Sequence, residues 1–283
     1  MHNIGVFDSG VGGLTVVREI LKQLPGQQVT YFGDTLHVPY GSRAVDELIG
    51  FSECISNFLL NQGAQLIIVA CNTSASVSMG HLRSSFSVPI VGVVHPGART
   101  AAKLTRNKKI GVIATEGTIK SHSHAKYLEI LDPEIQVFGE ACPLFVPLVE
   151  AGLADSPKAK AVAATYLKPL QEQGIDTLIL GCTHYPYLSS VIQEIMGPEV
   201  TLVDPARETV REAGEILRII PPLEEVVPAF SKGIGIPEHS FFVSGDPELF
   251  RNVGSPFLSG RITEVSKAEL DWRQENPWTT NQR

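Results

Sequence analysis

The chain has 283 residues, of which 43% are hydrophobic and 19% are charged, and its net charge is −7. This composition is typical of a globular protein with about two domains. The acidic balance argues against a nucleic-acid surface, which is normally basic. No apolar run approaches the roughly 18 residues that span a bilayer, and the first residues enter a strand pattern without the features of a signal peptide. We therefore expect a cytoplasmic protein that binds neither membranes nor nucleic acids.

Hydrophobic periodicity predicts short strands that alternate with helices along most of the chain. In the first part, strands are predicted at 4–7, 29–32, in the run before Cys71 and at 88–94, and helices at 14–24, 45–62 and 98–105. In the second part, strands are predicted at 110–114, 135–140, 175–180 and 200–203, and helices at 118–130, 144–151, 157–173 and 207–218. A loop at 221–237, a strand at 241–243, a last helix capped by Asp246 and a frayed tail from 276 complete the prediction.

This alternation predicts mostly parallel sheets that are covered by helices on both faces. We expect an α/β protein with two similar doubly wound domains and an active site in the cleft between them. The first domain would comprise residues 1–96 plus 207–283, because the segment after 207 is too short to form a domain by itself. The second domain would comprise residues 97–206.

One arrangement occurs twice in the sequence: an apolar strand, a small residue, a cysteine and then polar side chains. Cys71 follows the first of these strands. Cys182 follows the second and is separated from His184 by one threonine. The starts of the two halves, near positions 4 and 110, also match each other. The pattern indicates a duplicated α/β unit with one cysteine in each copy.

The other two cysteines, Cys54 and Cys142, are predicted to be buried and structural. The chain has no Cys-x-x-Cys pair, so neither a structural zinc site nor a thioredoxin-type redox site is expected. A buried inert thiol is the common alternative for any cysteine. Two inert thiols at corresponding strand ends would be a coincidence, which favours a functional role for Cys71 and Cys182.

Two thiols that face each other across a cleft suit one kind of reaction. One thiolate can remove the proton of a carbon acid, and the other thiol can return a proton to the opposite face, which inverts the centre. A cysteine between a strand end and a helix N-terminus is expected to have a pKa below its ordinary value of about 8.5. His184 would assist Cys182, and Asp8 would orient the Cys71 side. Helix capping by Asp8 or Ser9 is the alternative for the first loop.

Five motifs resemble those of the glutamate racemases in the aspartate/glutamate racemase family. They are Asp-Ser-Gly at 8–10, Pro-Tyr-Gly at 39–41, Ala-Cys-Asn-Thr at 70–73, Gly-Cys-Thr-His-Tyr-Pro at 181–186 and Val-Asp-Pro at 203–205. The resemblance extends to Phe-Val-Ser-Gly-Asp at 242–246 and so covers nearly the whole chain. It implies a cofactor-independent isomerase that interconverts L- and D-glutamate and supplies D-glutamate for peptidoglycan, and hence for the cell wall and cell shape. It also implies a homodimer and no metal.

The resemblance further implies roles for individual residues. Cys71 would face the D-enantiomer and Cys182 the L-enantiomer, Asp8 and His184 would assist them, and Glu150 would contact His184. The residues expected to bind substrate offer hydroxyls, an amide and backbone groups: Asp8, Ser9, Pro39, Tyr40, Gly41, Asn72, Thr73, Thr115, Thr118, Thr183 and His184.

Other functions remain open at this point. An aspartate or hydantoin racemase of the same superfamily would differ only in pocket size and contacts. A thiol hydrolase that uses Cys182 and His184 would leave Cys71 without a role. A two-lobed binding protein without catalysis would need no thiols in its cleft. A pyridoxal phosphate racemase is disfavoured because no lysine stands at a recognisable strand end.

Overall fold

The computed structural model describes residues 1–222, 239–262 and 264–270. These residues form two parallel sheets with helices around them. The strands of the first sheet are β1 (Asn3–Asp8), β2 (Gln28–Gly33), β3 (Leu66–Val69), β4 (Ile90–Gly92), β9 (Ser240–Val243) and β10 (Ser266–Lys267). Their order across the sheet is β10-β9-β2-β1-β3-β4, and every pair of neighbours is parallel.

The second sheet repeats the central part of the first. Its strands are β5 (Lys109–Ala114), β6 (Gln136–Ala141), β7 (Thr177–Gly181) and β8 (Thr201–Val203). They lie in the order β6-β5-β7-β8 and are also parallel. This order matches β2-β1-β3-β4, so β3 and β7 occupy equivalent places. Cys71 follows β3 and Cys182 follows β7, so the two thiols stand at equivalent positions of a repeated topology.

The apolar runs form strands because helices bury both of their faces. β3 and β7 are buried along their whole length, as expected for central strands of parallel sheets. One hydrophobic core joins the first sheet to its helices. Alternate residues of β5 and β7 enter two further apolar clusters, which therefore lie on opposite faces of the second sheet. The predicted α/β class, with two doubly wound sheets, is confirmed.

Helices connect the strands and cover the sheets. They are α1 (Leu14–Gln23), α2 (Val45–Asn61), α3 (Asn72–Val77), α4 (Met79–Ser85), α5 (Val94–Leu104), α6 (Glu116–Ser121), α7 (Ser123–Leu131), α8 (Phe145–Glu150), α9 (Pro157–Glu172), α10 (Ser189–Met196), α11 (Pro205–Leu217) and α12 (Pro247–Gly254). Short 3-10 turns span Tyr40–Ser42, Tyr185–Leu188 and Ser255–Leu258.

The structure differs from the predicted elements in several places, and neither α10 nor β10 was predicted. α5 begins at Val94, inside the predicted strand, because Pro96 lies in the first turn, where its missing amide costs no helical hydrogen bond. The helix predicted at 118–130 is two helices, since His122 adopts a left-handed conformation with a φ of 54°. α3 and α4 were not predicted, because their serine-rich sequence has no clear apolar period.

The C-terminal segment adds to the first sheet. β9 pairs with β2, and Asp246 caps α12 by accepting hydrogen bonds from the Glu248 and Leu249 amides, as predicted. Most of the predicted loop at 221–237 and the predicted frayed tail from 276 lie outside the described residues. The domain boundaries at 96/97 and 206/207 stay a prediction. Within the described ranges, no helix is both long and apolar enough to cross a membrane.

Candidate active site

A narrow cavity of about 40 Å³ lies at the carboxyl ends of the strands of both sheets, where ligands bind in open α/β folds. Its walls come from the segments that follow β1, β2, β3, β5 and β7, together with α8. The lining residues are Ser9, Val38, Pro39, Tyr40, Gly41, Cys71, Asn72, Thr73, Thr115, Val146, Cys182, Thr183 and His184. Both strand-end cysteines therefore line one cavity, and each comes from a different sheet.

Cys71 is the residue immediately before α3 and is almost fully buried. Its sulfur lies 3.9 Å from the hydroxyl oxygen of Ser9. Burial, followed by the nearby Asp8 carboxylate, raises the pKa of the Cys71 thiol to about 12, although the Ser74 amide and hydroxyl oppose this increase. The prediction of a low pKa at this strand end is therefore wrong for Cys71, because burial and a carboxylate outweigh the field of the short helix.

Cys182 has an imidazole beside it. Its sulfur lies 3.8 Å from Nδ1 of His184, and Nε2 of the same ring lies 3.3 Å from Oε1 of Glu150. Burial lowers the pKa of His184, but its interactions with Cys182 and Glu150 prevail and raise the pKa to about 10. The imidazole is therefore held in its cationic form at neutral pH, where it stabilises negative charge on the neighbouring sulfur.

Asp8 lies behind the cavity and does not line it. Its fully buried carboxylate accepts hydrogen bonds from the Gly10 amide and, at 3.2 Å, from the Thr183 hydroxyl. Because Thr183 follows β7, this bond joins the ends of the two sheets. The alternative of helix capping is not observed, since Gly13 caps α1 without a side-chain hydrogen bond.

Glycine is required at two positions of the first loop. A Cβ atom on Gly12 would collide with the Thr183 hydroxyl and would lie 2.6 Å from Nδ1 of His184. A Cβ atom on Gly13 would lie 2.5 Å from the Cβ of Asp8. The backbone of this loop thus approaches the functional side chains more closely than any other residue would permit.

Three threonine hydroxyls form a second link between the two halves. Thr73, at the start of α3, lies 2.9 Å from Thr115 and 3.3 Å from Thr118, measured between hydroxyl oxygens. The Thr115 and Thr118 oxygens are 3.1 Å apart. Thr118 is buried and does not line the cavity, so it contacts the lining threonines from behind. These hydroxyls offer uncharged donors and acceptors to a bound polar molecule.

A buried carboxylate that was not predicted as a site residue holds the Pro-Tyr-Gly segment. Asp34 accepts hydrogen bonds from the Tyr40 hydroxyl at 2.5 Å and from the Ser244 hydroxyl at 2.7 Å. Its other contact is Nδ1 of His37, at 2.8 Å. Its position directly after β2 could have predicted this role, because Asp8 was predicted from a similar position at the end of β1.

The structure thus brings most of the predicted site residues together. Pro39, Tyr40, Gly41 and Asn72 line the cavity beside the cysteines, and Glu150 contacts His184 from outside it. Two apolar wall residues, Val38 and Val146, were not predicted, because isolated valines carry no functional signal. In the part of the chain that the structure describes, no cluster of three or more histidine, cysteine or carboxylate side chains could hold a metal.

The fold and site together define a class of two-sheet α/β proteins with one strand-end thiol on each side of a shared cavity. The model of the Asp/Glu/hydantoin racemase family matches residues 4–213, and the chain belongs to this family. The expectation of an isomerase of the aspartate/glutamate racemase family is thereby confirmed.

Within this family, the individual proteins that the chain resembles are glutamate racemases. The chain is 50% identical over 269 residues to a glutamate racemase from Desulforudis audaxviator, a match that covers 93% of this chain and 97% of the relative. It is similar, with a TM-score of 0.85 and 39% identity, to the structure of a glutamate racemase isoform from Bacillus anthracis, covering 95% of this chain and 97% of that one. The glutamate racemase of Francisella tularensis, solved in complex with D-glutamate, gives a TM-score of 0.85 at 32% identity and covers 95% and 98% of the two chains.

Proposed function

We propose that the protein interconverts L- and D-glutamate by a two-base mechanism in which Cys71 and Cys182 are the catalytic residues. The observation that carries the proposal is that both thiols line one narrow cavity from opposite sheets. A hydrolase with a single nucleophile, or a binding protein without catalysis, gives no reason for the second thiol.

In the L-to-D direction, the Cys182 thiolate removes the Cα proton of L-glutamate and becomes a thiol. The electron pair of the broken C–H bond passes into the α-carboxylate as an enediolate. The Cys71 thiol then donates its proton to the opposite face of Cα and becomes a thiolate. The reverse direction uses the same steps with the roles exchanged. Proton exchange between the thiols and solvent resets the enzyme.

The electrostatics of the site support this division of work. His184, with a pKa raised to about 10, supplies a cation beside Cys182. The pKa of Cys71 is raised to about 12, so this thiol is protonated at neutral pH. A protonated Cys71 on one side of Cα and a cationic imidazole beside the other thiol suit a proton transfer that begins with the L-enantiomer.

Glutamate is the substrate that the comparisons favour. The similar proteins described above are glutamate racemases, and one of them, at 32% identity, was solved with D-glutamate. The described residues that line the cavity include no arginine or lysine. We therefore infer that hydroxyls, amides and backbone groups receive the two carboxylates. Such neutral donors bind the substrate without adding a permanent charge beside the thiols.

The test is chiral chromatography of purified protein incubated with L-glutamate and, separately, with D-glutamate. We expect racemisation in both directions, and loss of it in Cys71→Ala and in Cys182→Ala, because each variant lacks one face of the proton transfer. Cys54→Ala is the matched control, since Cys54 is also buried but does not line the cavity. Near-normal turnover in either cavity variant would refute the two-base mechanism.

Isotope labelling separates two bases from one. In heavy water, early D-glutamate formed from L-glutamate should be almost fully deuterated at Cα, while unreacted L-glutamate stays nearly unlabelled. A single base that serves both faces could return the original proton, which would leave protium in the product. Aspartate is the substrate control, because one methylene is worth about 1–3 kcal/mol of discrimination. Equal rates with aspartate and glutamate would instead favour a broad amino-acid racemase.

Four wider features of the proposal follow from the family resemblance. We infer that the reaction needs no cofactor, that its product enters peptidoglycan, and that the enzyme acts in the cytoplasm as a homodimer. Sedimentation of the purified chain tests the dimer. Growth of a depleted strain with and without added D-glutamate tests the role in the cell wall.

A further inference from the structure

Ser74 lies one helical turn after Cys71. Because Cys71 is the N-cap residue of α3, the amide of Ser74 belongs to the third residue of the helix and has no partner within it. An N-cap side chain normally receives the amide of the second or third helical residue. The Cys71 side chain accepts no such capping bond in this structure, but the Ser74 amide occupies the position from which an N-cap acceptor normally receives one.

The Ser74 side chain is also unusual. It is fully buried, and within the described ranges its hydroxyl oxygen has no hydrogen-bond partner. Buried hydroxyls are nearly always paired, so an unpaired one needs an explanation. Other buried serines in neighbouring helices are paired, as Ser56 and Ser78 donate to the carbonyl oxygens of Ser52 and Ser74.

The two thiols differ in what surrounds them. Cys182 has the cationic imidazole of His184. Cys71 has the Asp8 carboxylate nearby, which together with burial raises its pKa, and the groups that oppose this increase belong to Ser74. Because none of the described groups that shift the pKa of Cys71 is a cation, its thiolate must be stabilised by neutral donors.

We propose that Ser74 is a positioning residue that stabilises the thiolate of Cys71 by donating hydrogen bonds from its amide and its hydroxyl. The inference rests on the proposed function, in which Cys71 alternates between thiol and thiolate. A protonated thiol is a weak acceptor, so the hydroxyl remains unpaired; an ionised sulfur is a strong one. The donors are thus fixed in advance where charge develops, which spares the enzyme reorganisation during the reaction.

The test compares Ser74→Ala with the native chain by brief iodoacetamide pulses over neutral to alkaline pH. Peptide mass spectrometry gives the alkylation rate of Cys71, with Cys182 in the same sample as the internal reference. Losing a hydrogen bond to an ionised group raises a pKa by about one unit, so the Cys71 rate should fall about tenfold at each pH below that pKa. If Ser74 only fills space, the alkylation rate of Cys71 should instead rise in Ser74→Ala, because removing the hydroxyl makes room and exposes the sulfur.

Two further variants complete the experiment. Ser56→Ala removes an equally buried hydroxyl from α2 and should leave the Cys71 rate unchanged. Ser74→Thr keeps the hydroxyl and should recover most of the native rate. An unchanged or increased ratio of Cys71 to Cys182 alkylation in Ser74→Ala would overturn the inference.

The alkylation assay does not depend on turnover, so the two proposals fail separately. If Cys71→Ala still racemises glutamate, the proposed function is wrong whatever Ser74 does. If Cys71→Ala is inactive but Ser74→Ala alkylates like the native chain, only the role of Ser74 is wrong.

Discussion

The pair formed by His184 and Glu150 yields the sharpest prediction. Replacing Glu150 with glutamine keeps the shape of the side chain but removes its charge. The oxygen and nitrogen of this pair are 3.3 Å apart, and the glutamate side chain is 38% exposed, whereas the imidazole is buried. The imidazolium then loses one of the three groups that raise its pKa, the other two being Cys182 and Asp8.

The size of the effect follows from the distance and the exposure. Two unit charges 3.3 Å apart interact by about 5 kcal/mol at an effective dielectric constant of about 20. Solvent around the exposed carboxylate screens this interaction to about 1–2 kcal/mol. At 1.36 kcal/mol per unit, the pKa of His184 should fall by about one unit.

The sign of this shift makes the activity test specific. Glu150 favours the protonated ring, so its removal moves deprotonation to lower pH. Because the ring of the variant is still protonated at neutral pH, we expect kcat/KM for L-glutamate to change there by less than about threefold. As the pH rises toward the native pKa of about 10, the ratio of variant to native kcat/KM should fall.

Two assays check the prediction. NMR titration of histidine ring carbons gives the pKa of His184 directly, with His184→Asn for assignment, and chiral chromatography gives kcat/KM. Glu53→Gln is the control, because Glu53 also pairs with a histidine, His81, at 3.0 Å, but neither residue lines the cavity. An unchanged His184 midpoint, or a rate ratio that does not vary with pH, would refute the reasoning.

Two other predictions concern the framework of the cavity. Gly12→Ala should lower kcat/KM by about 100-fold, because the new methyl group displaces Thr183. The control is Gly80→Ala, since Gly80 lies in open space on α4. Equal activity of the two variants would contradict the close approach of the Gly12 backbone to Thr183. Asp34→Asn should lower the free energy of unfolding by about 1–3 kcal/mol, because its amide cannot accept from every donor that faces it. Urea denaturation measures this loss. The KM for glutamate should also rise, because Asp34 holds Tyr40, which lines the cavity. If neither the free energy of unfolding nor KM changes, Asp34 does not position Tyr40.

The sequence by itself determined the fold class, the duplicated unit and the two cysteines. These features are local: an apolar run of strand length marks β3 or β7, and the residue that follows is adjacent in the chain. Because the carboxyl ends of parallel strands meet at one edge of a sheet, the strand-end residues Cys71 and Cys182 could be assigned to a site before any distance was known.

The tertiary structure decided the properties that depend on distant residues. The contact between Glu150 and His184 joins residues on separate elements, and no periodicity encodes it. The pKa of Cys71 could not be predicted, because burial is the sum of everything packed around the sulfur and Asp8 comes from another strand. The Ser74 hydroxyl has no hydrogen-bond partner among the residues that the structure describes, and this emerges only when the neighbouring elements are packed around it. Hydrogen bonding and desolvation act through space, so they become defined only when the chain has folded.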